Sequence, residues 1–160
     1  MASIRRQILE ALRARVVLIR KPNGFITNAG NLVLLGEQPA LSPNDQDTAI
    51  AFIVDQQEFS DDVFQGDEGP AEDMASPLQV RIVAIVKADL ANPLLAMEDV
   101  IHDIKKAVEL PDRTLGGLVA GMLRGTTTAQ DREEGSEIVG ASQAYIFLYT
   151  EVWGNPEANP

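Results

Sequence analysis

The segment Leu78-Gln79-Val80-Arg81-Ile82-Val83-Ala84-Ile85-Val86-Lys87-Ala88 constrains the fold more than any other part of the chain. Leu78, Val80, Ile82, Ala84 and Val86 share one side of a two-residue period, while Arg81 and Lys87 punctuate the other. Successive side chains of a strand point to opposite faces, so this alternation predicts a long strand with one buried face. Its length and apolar content predict a central place in a sheet.

A second long strand is predicted from about Ile138 to Trp153, with Tyr145, Phe147, Tyr149 and Trp153 on one side and Ile146, Leu148 and Val152 on the other. A strand apolar on both faces is normally covered on both. Leu32-Val33-Leu34-Leu35 predicts a short strand between Asn31 and Glu37, and the bulky residues of Thr48 to Val54 cluster without helical period, as in a strand. After Asp112 the chain carries Gly116, Gly117, Gly121 and Gly125, and Leu115 to Leu123 fits a strand, a short helix or a packed loop.

Two segments have helical period instead. Ser3 can cap a helix in which Ile4, Ile8, Leu12 and Val16 recur every fourth residue, widened by Leu9 and Ala11. Pro22-Asn23-Gly24 supplies turn chemistry, so this helix is expected to end near Arg20. Asn92 or Asp89 can begin the second, with Pro93 in its first turn, Leu94, Met97, Ile101, Ile104 and Val108 as its stripe, and Pro111 as its stop. The order of elements predicts an α+β fold, a mostly antiparallel sheet with two main helices packed against it. With 160 residues and 45% apolar content, one core suffices, since a chain of this size buries about 70% of its unfolded surface. The expected domain covers residues 1–154, and residues 155–160 are expected to be a flexible tail.

Charge is distributed unevenly. Arg5, Arg6, Arg13, Arg15, Arg20 and Lys21 meet only Glu10 within the first 21 residues, giving +5 there and −16 over the rest of a chain whose net charge is −11. So acidic a chain is repelled by phosphate backbones, which argues against sequence-specific nucleic-acid binding. The basic helix face is either simply solvated or pairs with an acidic surface of another subunit, and Arg5, Arg6, Arg13 and Arg15 are its candidate interface residues. From Asp55 to Asp73 there are eight acids and no lysine or arginine, with Gly66, Gly69 and Pro70 among them. This predicts a long acidic loop over residues 55–77, either disordered or mobile until a partner orders it, with Asp61, Asp62, Asp67 and Glu68 as candidate partner contacts. Arginines interrupt the apolar residues before Leu18, so neither a signal-peptide core nor a membrane span is expected, and synthesis in the cytoplasm is.

Chemistry is sparsely represented. Cysteine is absent, which excludes disulfides and thiolate metal sites. His102 is the only histidine and has no nucleophile signature nearby, so it reads as a helix-surface residue. Asp99 and Asp103 can share a helix face, but two carboxylates at that spacing are usually solvated, and further metal ligands cannot be assigned. Gly116-Gly117 lacks the lysine of a phosphate-binding loop, and the acidic stretch does not match a calcium loop. No catalytic residue, cofactor or metal is expected.

Three stretches, taken in order, resemble the tail terminator proteins of long-tailed bacteriophages. They are the basic amphipathic segment Ile4 to Ile19, the strong strand followed by Met97 to Ala107 and Asp112-Arg113-Thr114-Leu115-Gly116-Gly117-Leu118-Val119, and the aromatic Ala144-Tyr145-Ile146-Phe147-Leu148-Tyr149-Thr150. The resemblance implies a subunit of a hexameric ring at the head-proximal end of the virion tail. Such a ring stops tube polymerisation and offers its other face to the head-side connector or neck protein. The implied partners are further copies of the chain, the tail tube protein and that connector, with no membrane and no catalytic residue. Alternative expectations are another phage head-to-tail connector or tail-completion protein, a small cytoplasmic binding module, or an enzyme acting through Asp99 and Asp103.

Overall fold

Ser3 caps the first helix, its Oγ accepting from the Arg6 backbone N–H at 3.3 Å. In a computed structural model of the chain, which describes residues 2–36, 48–54, 73–87, 91–129, 135 and 137–152, this helix, α1, spans Ile4–Val16. It buries Ile4, Ile8, Leu12 and Val16, the stripe its sequence sets out. The helix stops short of Arg20. Its last turn tightens as Leu18 and Ile19 donate to the carbonyls of Arg15 and Val16, and this swings Ile19 into the core, where it is fully buried. The chain then makes a 3-10 turn at Lys21–Asn23, closed by Gly24 at φ 83°, and a second at Ala29–Asn31. In that second turn Gly30 donates to Ile19 O at 2.9 Å and lies so close to the helix end that a Cβ would stand 2.5 Å from Val16 O. Only glycine permits this approach.

The sheet contains β1 (Val33–Leu35), β2 (Thr48–Val54), β3 (Asp73–Lys87), β4 (Gly121–Ala129) and β5 (Ile138–Val152), in the spatial order β1-β2-β3-β5-β4. β1 runs parallel to β2 and every other pairing is antiparallel. The chain is thus an α+β domain with a mixed, mostly antiparallel sheet, and β3 is central. β3 begins at Asp73, five residues before the expected start, so residues 73–77 belong to a strand and not to the acidic loop expected over 55–77. The reason is the length of β5, which pairs with β3 continuously from Asp73↔Val152 to Lys87↔Ile138. Pro77 is tolerated there because the register of β2 ends at Val54↔Val80, short of the proline. Trp153 and residues 155–160 lie outside the described residues.

The second helix, α2, spans Pro93–Glu109, with Asn92 at its N-cap. It buries Val100, Ile101, Ile104, Ala107 and Val108, but Leu94, expected in the stripe, is exposed together with Leu95. Its core contacts begin at Ala96 and Met97, so the first turn overhangs. Both helices share one apolar cluster with Ile50 and Phe52 of β2, Leu78, Val80 and Ile82 of β3, and Tyr145, Phe147 and Tyr149 of β5. On the opposite face of β5, Ile146 is half-buried and Leu148 is 41% exposed, so the expected covering of both faces does not hold at Leu148.

The segment left open between strand, helix and loop is a tight turn leading into β4. That edge strand has little apolar patterning and takes its place by pairing with β5. The pairing shifts register between Arg124 and Thr127. Gln143, fully buried, fills the bulge: its Nε2 donates to Gly125 O and Ala144 O, and its Oε1 accepts from Thr127 Oγ1.

Candidate interaction surface

The arginines of α1 have different surroundings. Arg15 turns toward the C-terminal end of α2, where its Nη1 donates to Val108 O at 2.6 Å and Asp112 O at 2.8 Å, and its Nη2 donates to Asp112 Oδ2 at 2.7 Å. It thereby satisfies carbonyls that a helix end leaves without partners. An interface role for Arg15 does not fit this arrangement, because the guanidinium is engaged within the chain and the side chain is only 13% exposed. Arg6 pairs with Glu10 one turn on, at the surface. Arg13 is exposed and Arg5 half-buried, and no side-chain hydrogen bond or ion pair joins either to another described residue. Asp61, Asp62, Asp67 and Glu68, the candidate partner contacts, lie outside the described residues.

The other oxygen of Asp112 organises the turn that follows α2. Its Oδ1 accepts from the Thr114 N–H, the Thr114 hydroxyl and the Gly116 N–H. These bonds, the Gly116 N–H first, and the nearby Arg15 hold the Asp112 carboxyl at a pKa of about 2. Within the turn Leu115, Gly116 and Gly117 have φ of 50°, 72° and 90°. Three consecutive left-handed residues reverse the chain, and glycine at two of them removes the steric cost. Leu115 accepts that cost while burying its side chain.

Next to this turn, between the end of α2 and the start of β4, is a groove of about 320 Å³ lined by Glu109, Arg113, Met122, Leu123, Arg124 and Tyr145. Arg124 grips Glu109 with two nitrogens, Nε to Oε1 at 2.8 Å and Nη2 to Oε2. The Tyr145 hydroxyl donates to the same Oε1 at 2.8 Å. The Arg124 hydrogen bond, with lesser help from Tyr145 and Lys105, holds the Glu109 carboxyl below its ordinary range, and Glu109 in turn raises the Arg124 guanidinium. Burial, reinforced by Glu109, pushes the Tyr145 hydroxyl well above its ordinary value. Glu109 therefore stays ionised and Tyr145 protonated near neutral pH, so neither is poised for proton transfer. Arg113 is exposed, and no hydrogen bond or ion pair joins it to another described residue.

Of the residues considered for chemistry, His102 stands at the surface, 58% exposed, with Nδ1 3.4 Å from Asp103 Oδ1. Asp103 is not solvated, contrary to expectation: it is fully buried and accepts from the Ile26 N–H, the Thr27 N–H and the Thr27 hydroxyl. Lys106 adds a second clasp on the same loop, donating to Gly24 O at 2.7 Å and lying over the Phe25 ring. Asp103 and Lys106 thus fasten residues 24–27 onto α2. Asp99 does not join Asp103 in a site. Among the described residues no group of three or more acids or histidines is placed to hold a metal ion, and no helix is long and apolar enough to cross a membrane. Sequence pattern does not reveal the Glu109 groove, because Arg124 and Tyr145 lie 15 and 36 positions away, or the clasp of Arg15 on Asp112, 97 positions apart; the local spacing of Asp112, Thr114 and Gly116 is the signal that points to the turn. No protein-family model matches the chain, and no curated protein matches it.

Proposed function

We propose that this chain is a non-enzymatic assembly subunit of the tail terminator kind. It joins copies of itself in a hexameric ring at the head-proximal end of a phage tail tube, ends tube polymerisation and offers its other face to a connector or neck protein. One observation carries the reading: the three stretches that resemble tail terminators are joined directly in the fold. Arg15 of α1 binds Asp112 at the head of the Leu115-Gly116-Gly117 turn, and the aromatic strand pairs with the strong strand, Tyr145 opposite Val80 and Phe147 opposite Leu78. These contacts pack the stretches into one unit, as suits a subunit that presents one surface to several partners. The groups with chemical potential, Asp103, Asp112, Glu109 and Tyr145, are all engaged in holding that unit together.

Negative-stain images of the purified protein, alone and mixed with tail tubes, test the proposal. Rings capping tube ends are the expected result. Tube ends left bare under every condition overturn it, and attachment to a neck complex with bare tubes assigns the chain to another head-to-tail joining role. A tail-tube gene immediately downstream supports the terminator reading.

A further inference from the structure

A self-assembling subunit requires a contact between copies, and the two ends of the helical layer carry surfaces that suit one. We propose that the overhanging first turn of α2 in one copy takes the basic end of α1 in the next, with Leu18 seated against Leu94 and Leu95. The inference rests on the assembly reading above.

The start of α2 is apolar and acidic. Leu94 and Leu95 are 59% and 61% exposed, and one turn on stand Glu98 and Asp99, neither joined by a side-chain hydrogen bond or ion pair to another described residue. Residues three and four apart are neighbours on a helix, so these leucines and carboxylates form one surface. No lysine or arginine occurs between Ala91 and Ile104. The cation that precedes this segment, Lys87, follows the core residue Val86 on β3 and so lies on the face of the sheet away from the helices.

The end of α1 has the opposite charge. Arg13 in its last turn and Arg20 and Lys21 just beyond it are exposed, with no side-chain hydrogen bond or ion pair to another described residue, and Leu18 among them is 54% exposed. The two surfaces cannot meet within one chain. Arg15, in the same last turn of α1, grips the carbonyl of Val108, which follows Leu95 by thirteen residues and so lies about 20 Å farther along α2. Asp103 and Lys106 clasp residues 24–27 onto the second half of that helix, which keeps the chain after Lys21 there as well. A second copy supplies what each surface lacks, leucine against leucine with unlike charges around them. Because the two surfaces occupy different places on the subunit, the contact is head-to-tail and closes into a ring when the rotation allows.

The absence of cysteine allows a direct test with the full chain. A Leu18→Cys chain and a Leu95→Cys chain of different tag length are mixed and oxidised, and the disulfide dimers are separated on non-reducing gels. The mixed dimer is expected to form at least tenfold faster than either like pair. Adding Glu98→Lys and Asp99→Asn to the Leu95→Cys chain should slow it at least tenfold, and adding Arg20→Glu and Lys21→Glu to its partner should restore it, with native circular dichroism throughout. A mixed dimer no faster than the like pairs, or one indifferent to these reversals, overturns the inference. Tube ends left bare by the wild type would sink the tail terminator reading while the cross-linking stands. Capping by a Glu98→Lys/Asp99→Asn chain as efficient as by wild type would sink the inference while leaving that reading.

Discussion

Arg15 and Asp112, 97 positions apart, meet at 2.7 Å, and through them the first helix holds both the end of the second helix and the turn that launches β4. Arg15→Leu keeps much of the aliphatic volume but leaves the carbonyls of Val108 and Asp112 without their donor. Poorly satisfied carbonyls at a part-buried helix end should cost about 1–3 kcal/mol. Urea unfolding followed by circular dichroism checks this, and a midpoint equal to the parent's would show that water replaces the guanidinium without loss.

Asp112 also ties stability to pH. Its folded-state pKa, about 2, lies below the ordinary 3.8, so its contribution is complete above about pH 4 and is lost as pH falls toward 2. Glu109, lowered from 4.5, acts in the same direction on the acid side. Tyr145, raised above 10, contributes stability that is present below pH 10 and lost as pH rises further. Urea midpoints measured across pH should therefore fall at both extremes. Asp112→Asn should flatten the acid limb and Tyr145→Phe the alkaline one, and curves parallel to the wild type would refute these assignments.

Local pattern made part of this fold legible. The period-two alternation from Leu78 to Val86 and the four-residue spacing from Ile4 to Val16 each have one way to bury their apolar sides. β4 has no comparable signal, because Gly121, Gly125 and three consecutive threonines make an exposed edge whose position is set by β5. The candidate surface was less legible still. Arg15 and Arg13 look alike in a basic helix, yet one is nearly enclosed and the other solvated, and what separates them is Asp112 far along the chain. Asp103 likewise looks like any helix-surface acid until the loop carrying Thr27 folds over it.

At Gly117 the strain expected of a side chain comes from the backbone alone, since φ is 90° and a Cβ there would meet nothing within 4 Å. Gly117→Val should lower stability by about 1–2 kcal/mol or more, because β-branching adds to the left-handed cost. Gly117→Asn should cost less, as asparagine tolerates that region. Equal melting temperatures for the valine variant and wild type would show that the turn relaxes to another conformation.

Removal of the Asp103 carboxylate leaves two backbone N–H groups and a hydroxyl without their acceptor in a part-buried site. Asp103→Ala should destabilise the protein by on the order of 3 kcal/mol. Hydrogen exchange gives a more local readout: the amides of Ile26 and Thr27 should exchange much faster, while those of β3 slow down or speed up only with global stability. Unchanged exchange at Thr27 would mean that Lys106 alone secures the loop.

The surface arginines provide the last test, because the fold separates charges that stabilise the subunit from charges free to act between subunits. The side chains of Arg5 and Arg13 have no ion-pair or hydrogen-bond partner among the described residues, so reversing both to glutamate should change stability, read from the urea midpoint, by no more than about 0.5 kcal/mol. Arg15→Glu should behave differently, since it places a carboxylate against Asp112 and two carbonyls and should unfold the end of α2. Association needs a separate measurement. Exposed charges are screened beyond a Debye length of about 8 Å at physiological salt, so the α1 arginines can influence a neighbouring copy only where they touch it. Reversal of Arg5 and Arg13 together should shift sedimentation toward smaller species or impair tube capping, and raising salt should reproduce that effect in wild type. Unchanged sedimentation and capping, with native circular dichroism, would place the contact between copies away from these two arginines.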